Sequence, residues 1–211
     1  MFLFYYTVLR LLFLSSVFSS LLLGACSIHT TCLTRKDQIF SKWYLQKDSP
    51  SELSVYQICG EFSYFSGKKK FYSRFHWKQS GYDCYCVTLI NPFGITEMIL
   101  HVQFGLAEFI DNQGKCYSSD NPELLIEKVF GISIPLKNLQ KWIWGFSGDA
   151  TNIRLNSLGY VERMNYSYNG RNWIIQYNSY HKDIIPILPH SIELYQGNNR
   201  IKLNIDTWSF K

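Results

Sequence analysis

Residues 70–79 read Lys-Phe-Tyr-Ser-Arg-Phe-His-Trp-Lys-Gln, and they alternate. Phe71, Phe75 and Trp77 fall on one side of an extended chain; Tyr72, Arg74, His76 and Lys78 fall on the other. Successive side chains of a strand point to opposite faces, so this spacing predicts a half-buried β-strand with one wet face. The same period of two extends in both directions. Upstream, Gly60–Ser66 places Phe62 and Tyr64 together; downstream, Asp83–Ile90 sets Tyr85, Val87 and Leu89 against Cys84, Cys86 and Thr88. Ile95–Val102, Ala107–Ile110 and Lys115–Tyr117 follow, with Asp111-Asn112-Gln113-Gly114 as a turn. Antiparallel strands this closely spaced predict a meander or barrel.

The middle of the chain changes period. Asn121-Pro122 opens a helix with proline at its first position, Leu124, Leu125, Ile126, Val129 and Phe130 follow, and Gly131 stops it. A second helix starts at Pro135 and carries Leu136, Leu139, Trp142, Ile143 and Trp144 before Gly145. Its last turn is apolar nearly all round, so it is either buried on both sides or covers something apolar. Strands resume at Gly159–Tyr168, turn at Asn169-Gly170, and return through Arg171–Tyr177. Residues 180–189 read as a loop broken by Pro186 and Pro189, before a last hairpin, His190–Tyr195 and Arg200–Phe210. About ten or eleven strands with two central helices predict a mainly β fold: a sheet curved into a barrel, with helices across one opening.

The N-terminus carries a different message. Arg10, a long apolar run from Leu11 and small residues before Cys26 form a secretory signal over residues 1–25. Leu23-Gly24-Ala25-Cys26 resembles a bacterial lipobox, which implies acylation of Cys26; the alternative is an uncleaved anchor with an incidental cysteine. Ser27, by resemblance to bacterial lipoproteins, favours the outer membrane. Residues 26–36 then form a lipid-anchored tether, and the domain occupies 37–211. It opens on an amphipathic helix over 37–47, with Ile39, Phe40, Trp43 and Tyr44 at helical spacing.

Composition narrows the function. Apolar residues make up 46% and charged residues 18%, so the chain folds rather than staying disordered. A formal charge of +5 without a basic stripe interleaved with stacking aromatics argues against nucleic acid as a partner. Lys68-Lys69-Lys70, after Ser66-Gly67, reads as a solvated hairpin turn. With Cys26 acylated, five cysteines remain, an odd number; Cys84 and Cys86 share a face at the outer limit for a bridge. No C-x-x-C pair or histidine cluster suggests a metal, and no cofactor motif is present. His29, His76, His101, His181 and His190 accompany neither a G-x-S-x-G elbow nor H-E-x-x-H, so no catalytic residue is assigned and no enzyme is expected.

Several stretches together resemble one family. These are Asn91-Pro92-Phe93-Gly94 before Ile95-Thr96-Glu97, Ile134-Pro135-Leu136 with Leu139 and Trp142-Ile143-Trp144-Gly145, Gly148-Asp149-Ala150-Thr151, Asn169-Gly170-Arg171-Asn172-Trp173, and Arg200-Ile201-Lys202-Leu203. In this order, from about Gln38 to Lys211, they resemble LolB, an outer-membrane lipoprotein that receives other lipoproteins and inserts them into the membrane. The resemblance implies a half-open antiparallel β-barrel with a helical lid over an apolar cavity. It also implies a monomer that takes acyl chains from a lipoprotein carried by LolA, the periplasmic chaperone, and delivers them to the inner leaflet of the outer membrane.

Inward strand faces and the lid nominate Phe62, Tyr64, Phe75, Trp77, Leu89, Leu139, Trp142, Ile143, Trp173 and Ile175 as cavity wall, with simple core packing as each residue's alternative. The family carries a protruding loop with an exposed apolar tip, and Pro92, Phe93 and Gly94 match it. Proline cannot continue a ladder and glycine permits a tight turn, so Phe93 would stand at the tip; the alternative folds it back as core. Two departures stand out: Ser147 replaces a common proline after the second lid helix, and Cys59, Cys84 and Cys86 replace polar or basic residues. A structural lipid-anchored envelope protein without a cavity is the competing reading.

Overall fold

The computed structural model describes residues 55–67, 69–131 and 133–210. The expected signal segment, Cys26, the tether and the helix over 37–47 lie outside these residues, as do Cys32 and Lys68.

Six strands come first: β1 Tyr56–Ser66, β2 Lys69–Gly81, β3 Cys84–Ile90, β4 Thr96–Gln103, β5 Leu106–Asp111 and β6 Cys116–Ser119. Two helices follow, α1 Pro122–Phe130 and α2 Leu136–Trp142. Five strands complete the chain: β7 Thr151–Leu155, β8 Val161–Tyr168, β9 Arg171–Tyr180, β10 Pro189–Gln196 and β11 Asn199–Phe210. They make one 11-stranded sheet in the order β6-β5-β4-β3-β2-β1-β11-β10-β9-β8-β7. Every pairing is antiparallel, and the long-range closure is β1 on β11. The edges β6 and β7 do not pair, so the barrel is half open, and the two helices belong to the connection between those edges.

The alternation of β2 is as the sequence predicts. Phe75, Trp77 and Gln79 are buried while Arg74, His76 and Lys78 are exposed. The turns follow local chemistry. Asn169 (φ 51°) and Gly170 (φ 71°) join β8 to β9, both in the left-handed region that a two-residue hairpin of this kind requires. Three loops share one construction. In each, a side-chain Oδ1 accepts the N–H groups two and four residues on: Asn91 from Phe93 and Ile95, Asp111 from Gln113 and Lys115, Asn156 from Leu158 and Tyr160. A positive-φ glycine at the fourth position, Gly94, Gly114 or Gly159, completes the turn.

The helix ends also follow the sequence. The Asn121 side chain accepts the N–H groups of Glu123 and Leu124, Pro122 opens α1, and left-handed Gly131 closes it with its N–H on Glu127 O. The apolar turn after α2 is buried on both sides: Trp142, Ile143, Trp144 and Phe146 are all nearly inaccessible. Trp144 packs edge-on against Tyr56, centroids 5.1 Å apart, and against Trp208 at 4.9 Å, pinning the end of the lid segment to β1 and β11.

Two features depart from the sequence reading. Strand β7 was not expected, because Thr151–Leu155 has no apolar alternation; its only pairing is an irregular one with β8. Gly60 sits at a register shift between β1 and β11, where a Cβ would lie 1.9 Å from Asn204 O and 2.9 Å from Phe75 Cε1. Only glycine allows the two backbones to come this close.

Candidate functional site: an apolar cavity under the helices

The concave face of the sheet and the helices enclose a cavity of about 540 Å³. That lies in the range of pockets that hold a small ligand, about 300–1,000 Å³. Phe62 and Tyr64 of β1, Phe71, Phe75 and Trp77 of β2, Val87 and Leu89 of β3, Met98 and Leu100 of β4, and Leu203 of β11 form the wall. Ile126 and Phe130 of α1, Ile134, and Leu136 and Leu139 of α2 form the cover. Lys69 and Lys70 supply the only charged groups of the lining.

Six of the ten nominated wall residues therefore meet at the cavity: Phe62, Tyr64, Phe75, Trp77, Leu89 and Leu139. The other four lie elsewhere. Trp142, Ile143, Trp173 and Ile175 are almost wholly buried in the packed core and do not line the cavity. Trp142 meets Tyr166 edge-on at 5.2 Å, and its carbonyl accepts the Tyr177 hydroxyl at 2.9 Å. The physical reason is packing. Trp142 at the end of α2 packs on Tyr166 of β8 and Tyr177 of β9, whereas Leu136 and Leu139 face the space lined by β1–β4.

Val87 and Phe71, which the alternation also puts on inward faces, line the cavity as well. Met98, Leu100, Leu203 and Ile126 needed the register and the helix placement to be found.

The cavity's polar neighbours bond within the wall, except that the buried Asn138 Oδ1 accepts no hydrogen bond. Trp77 Nε1 donates to Gln79 Oε1 at 2.8 Å, and Gln79 Nε2 donates to Gly81 O at 2.6 Å. Asn138 Nδ2 of α2 donates to the Tyr166 hydroxyl at 2.7 Å, tying the cover to β8. Burial pushes the Tyr166 hydroxyl up to about 12, with the Glu123 and Asp149 carboxylates adding to it. Burial likewise raises Tyr85 and Tyr177 well above the ordinary tyrosine value. These hydroxyls stay protonated and neutral at physiological pH. Glu123, at the start of α1, accepts the Lys137 N–H at 3.3 Å and so links the two helices. Partial burial raises its carboxyl above the usual range, against the lowering effect of that bond.

Pro92, Phe93 and Gly94 form the tip of the β3–β4 loop. Phe93 is 88% exposed, the most exposed large apolar side chain of the described residues. Gly94 (φ 82°) donates its N–H to Asn91 O at 2.9 Å, so backbone and Asn91 side chain hold the tip without any contact from the Phe93 ring. The ring is presented to solvent rather than folded back. Cys59, Cys84, Cys86 and Cys116 are free thiols. Cys59 pairs in register with His76, and Cys86 with Lys78 and His101, which sets both on the outer face. Ser147 is buried, and its carbonyl accepts the Ala150 N–H at 3.1 Å.

Comparison with known proteins agrees with this geometry. A family profile described as Outer membrane lipoprotein LolB matches residues 54–208. Outer-membrane lipoprotein LolB of Sodalis glossinidius is 48% identical over 204 residues, 97% of each chain. The protein of the same name from Yersinia pseudotuberculosis serotype O:1b is 38% identical over 193 residues, covering 92% of this chain and 93% of its own. A LolA superfamily protein from Nitrosomonas europaea shares the fold, with a TM-score of 0.50 at 10% identity over 83% of this chain and 93% of that one. A profile match across nearly all of the sheet, and relatives aligned almost end to end, lead to one conclusion: the chain belongs to the outer membrane lipoprotein LolB family.

Proposed function

We propose that this protein, held at the periplasmic face of the outer membrane by acyl groups on Cys26, accepts the acyl chains of a lipoprotein in its cavity and releases them into the bilayer. The observation that supports this reading most is the cavity itself: about 540 Å³ of space lined, apart from Lys69 and Lys70, by aliphatic and aromatic side chains. A core that served only to stabilise the fold would be filled, because protein interiors pack to crystal-like density and voids are costly.

The chemistry explains why such a space is needed. One sixteen-carbon chain loses roughly 10 kcal/mol on entering water, at ~0.8 kcal/mol per CH₂. Chains must therefore pass from one dry site to another. LolA is the donor in this reading, and the hand-over runs mouth to mouth. Ile126, Phe130, Leu136 and Leu139 form the cover, and a shift of α1 and α2 from the sheet widens the entry for the chains. One hydrogen bond, from the Lys137 N–H to Glu123, joins the two helices of the cover. Each transfer runs toward the drier site and needs no nucleotide. Phe93 enters the bilayer at delivery, loosens the leaflet and lets the chains leave.

The test uses a soluble form beginning at Ser27. It is mixed first with a LolA–lipoprotein complex and then with liposomes, and the lipoprotein is followed by pull-down and flotation. Uptake followed by delivery is the expected result. If the soluble form takes neither the lipoprotein nor a fluorescent fatty-acyl probe, the carrier reading fails and a structural envelope lipoprotein replaces it.

A further inference from the structure

Three residues of the cavity lining are exposed, and they mark its mouth: Lys69, Lys70 and Phe130. The two lysines open β2, in the first register pairs with β1, Ser66↔Lys69 and Phe65↔Lys70. Consecutive strand residues point to opposite faces, so both reach one opening only because the strand begins there. The run that reads in sequence as a solvated turn is a hairpin end, and its two described lysines are also the rim of an apolar cavity. Among the described residues every ion pair is made by an arginine, and no lysine, Lys69 and Lys70 included, has a carboxylate partner. Two unpaired ammonium groups at this rim do nothing for hydrocarbon chains; they are suited to an anion outside the cavity.

The surroundings say which anion. Arg74 of β2 is in register with Ile90 of β3, so the 91–95 loop leaves the sheet at the same end as Lys69 and Lys70. That end of the sheet thus carries Phe93, 88% exposed, and Ile95, 60% exposed, as well as the two lysines. Lys115 joins them in the β5–β6 turn, exposed, with its ammonium 5.0 Å from the Tyr117 ring centroid. The carboxylate of that turn, Asp111, uses one oxygen to accept the Gln113 and Lys115 N–H groups. Exposed apolar tips flanked by lysines form an amphipathic surface, the pattern that sits at a headgroup–acyl boundary.

We propose that Lys69 and Lys70 bind the phosphates of anionic phospholipids in the bilayer and so set the cavity mouth against the leaflet. The proposal deepens the carrier reading and rests on it. Phe93 supplies apolar insertion; the lysines supply orientation, because their charge bears on the leaflet only when the mouth faces it. Each lysine near an anionic surface is worth roughly a five-fold gain in binding, so the pair gives about 30-fold. The effect falls with ionic strength, since the contact is exposed.

The test reconstitutes the full acylated chain in vesicles of phosphatidylcholine alone, or with about one-third phosphatidylglycerol, and follows amide hydrogen exchange in residues 91–95. Expected is slower exchange of this loop in the anionic vesicles, lost in high salt and in a Lys69→Gln/Lys70→Gln variant, and kept in Lys69→Arg/Lys70→Arg. Thermal melting of each variant reports on the fold, and the arginine variant separates loss of charge from loss of structure. Equal exchange in neutral and anionic vesicles, or full protection in the glutamine variant, overturns the proposal. A wild-type chain that binds no fatty-acyl probe sinks the carrier reading instead, whatever the lysines do, so the two failures are distinguishable.

Discussion

Replacing Phe93 with glutamate separates acceptance from delivery. The ring is 88% exposed and belongs to a loop held by Asn91, whose Oδ1 accepts the Phe93 and Ile95 N–H groups at 3.0 Å. Nothing that keeps the loop folded passes through the Phe93 side chain, so Phe93→Glu should change global stability by no more than about 0.5 kcal/mol. Nor does Phe93 line the cavity, so uptake of a lipoprotein from LolA should continue. Delivery is different. A phenylalanine that leaves water entirely contributes on the order of 1.5–3 kcal/mol, which glutamate forfeits while adding the cost of a charge at the boundary. At 1.4 kcal/mol per decade, membrane engagement should fall by roughly 10- to 150-fold. The assay is liposome flotation of a radiolabelled lipoprotein after hand-over, with pull-down of the carrier–cargo complex beside it. A variant that accepts but does not deliver supports the division of labour. Delivery at the wild-type rate would refute the role of the loop; loss of uptake would show that Phe93 acts at the cavity instead.

Three further outcomes follow from particular contacts. Val87, a half-buried wall residue, replaced by tryptophan should fill cavity space and weaken a fluorescent fatty-acyl probe by about ten-fold; undiminished probe titrations would mean the chains lie elsewhere. Gly60→Ala puts a Cβ 1.9 Å from Asn204 O, where no flexible side chain can give way, so urea denaturation should show a loss of at least ~3 kcal/mol or no folded protein. Arg200 pairs with Glu193 at 2.6 Å, and Tyr195 donates to the same carboxylate. Burial alone would raise the Glu193 pKa, but the bonds from Arg200 and Tyr195 outweigh it and hold it below the ordinary value. That contribution is complete above the unfolded glutamate pKa and is lost as pH falls through the lower folded value. Arg200→Ala leaves the buried carboxylate without its counter-charge, so chemical denaturation should show a loss of about 1–3 kcal/mol at pH 7, shrinking as acid neutralises Glu193; a loss that grows toward low pH would contradict the assignment.

Much of this architecture is legible from local chemistry. The alternation in residues 70–79 belongs to the strand wherever it packs, because the pleat forces it. The Asn169-Gly170 turn, the Asn121-Pro122 start and the Gly131 stop are equally local: each depends on φ preferences and a side-chain cap within four residues. The tip position of Phe93 follows from Asn91, Pro92 and Gly94 in the same way. Strand β7 was not legible, since its residues are mostly exposed and it exists through pairing with β8.

The cavity belongs to the other category. Periodicity says that Leu89 and Ile175 both point inward, but not how far away the opposite wall stands. Leu89 faces open space beneath the start of α2, while Ile175 lies in the packed core that includes Trp142, Trp173 and Tyr177. Lys69 and Lys70 make the same point at the surface. A basic run beside a glycine reads as solvated turn, and only the pairing of β2 with β1 and β3 sets it at the cavity mouth and at the end of the sheet from which the Phe93 loop leaves. Side-chain direction is a property of the local backbone and is written in the sequence. Empty volume and the company a charge keeps are properties of chain segments distant in sequence, and the tertiary structure alone decides them.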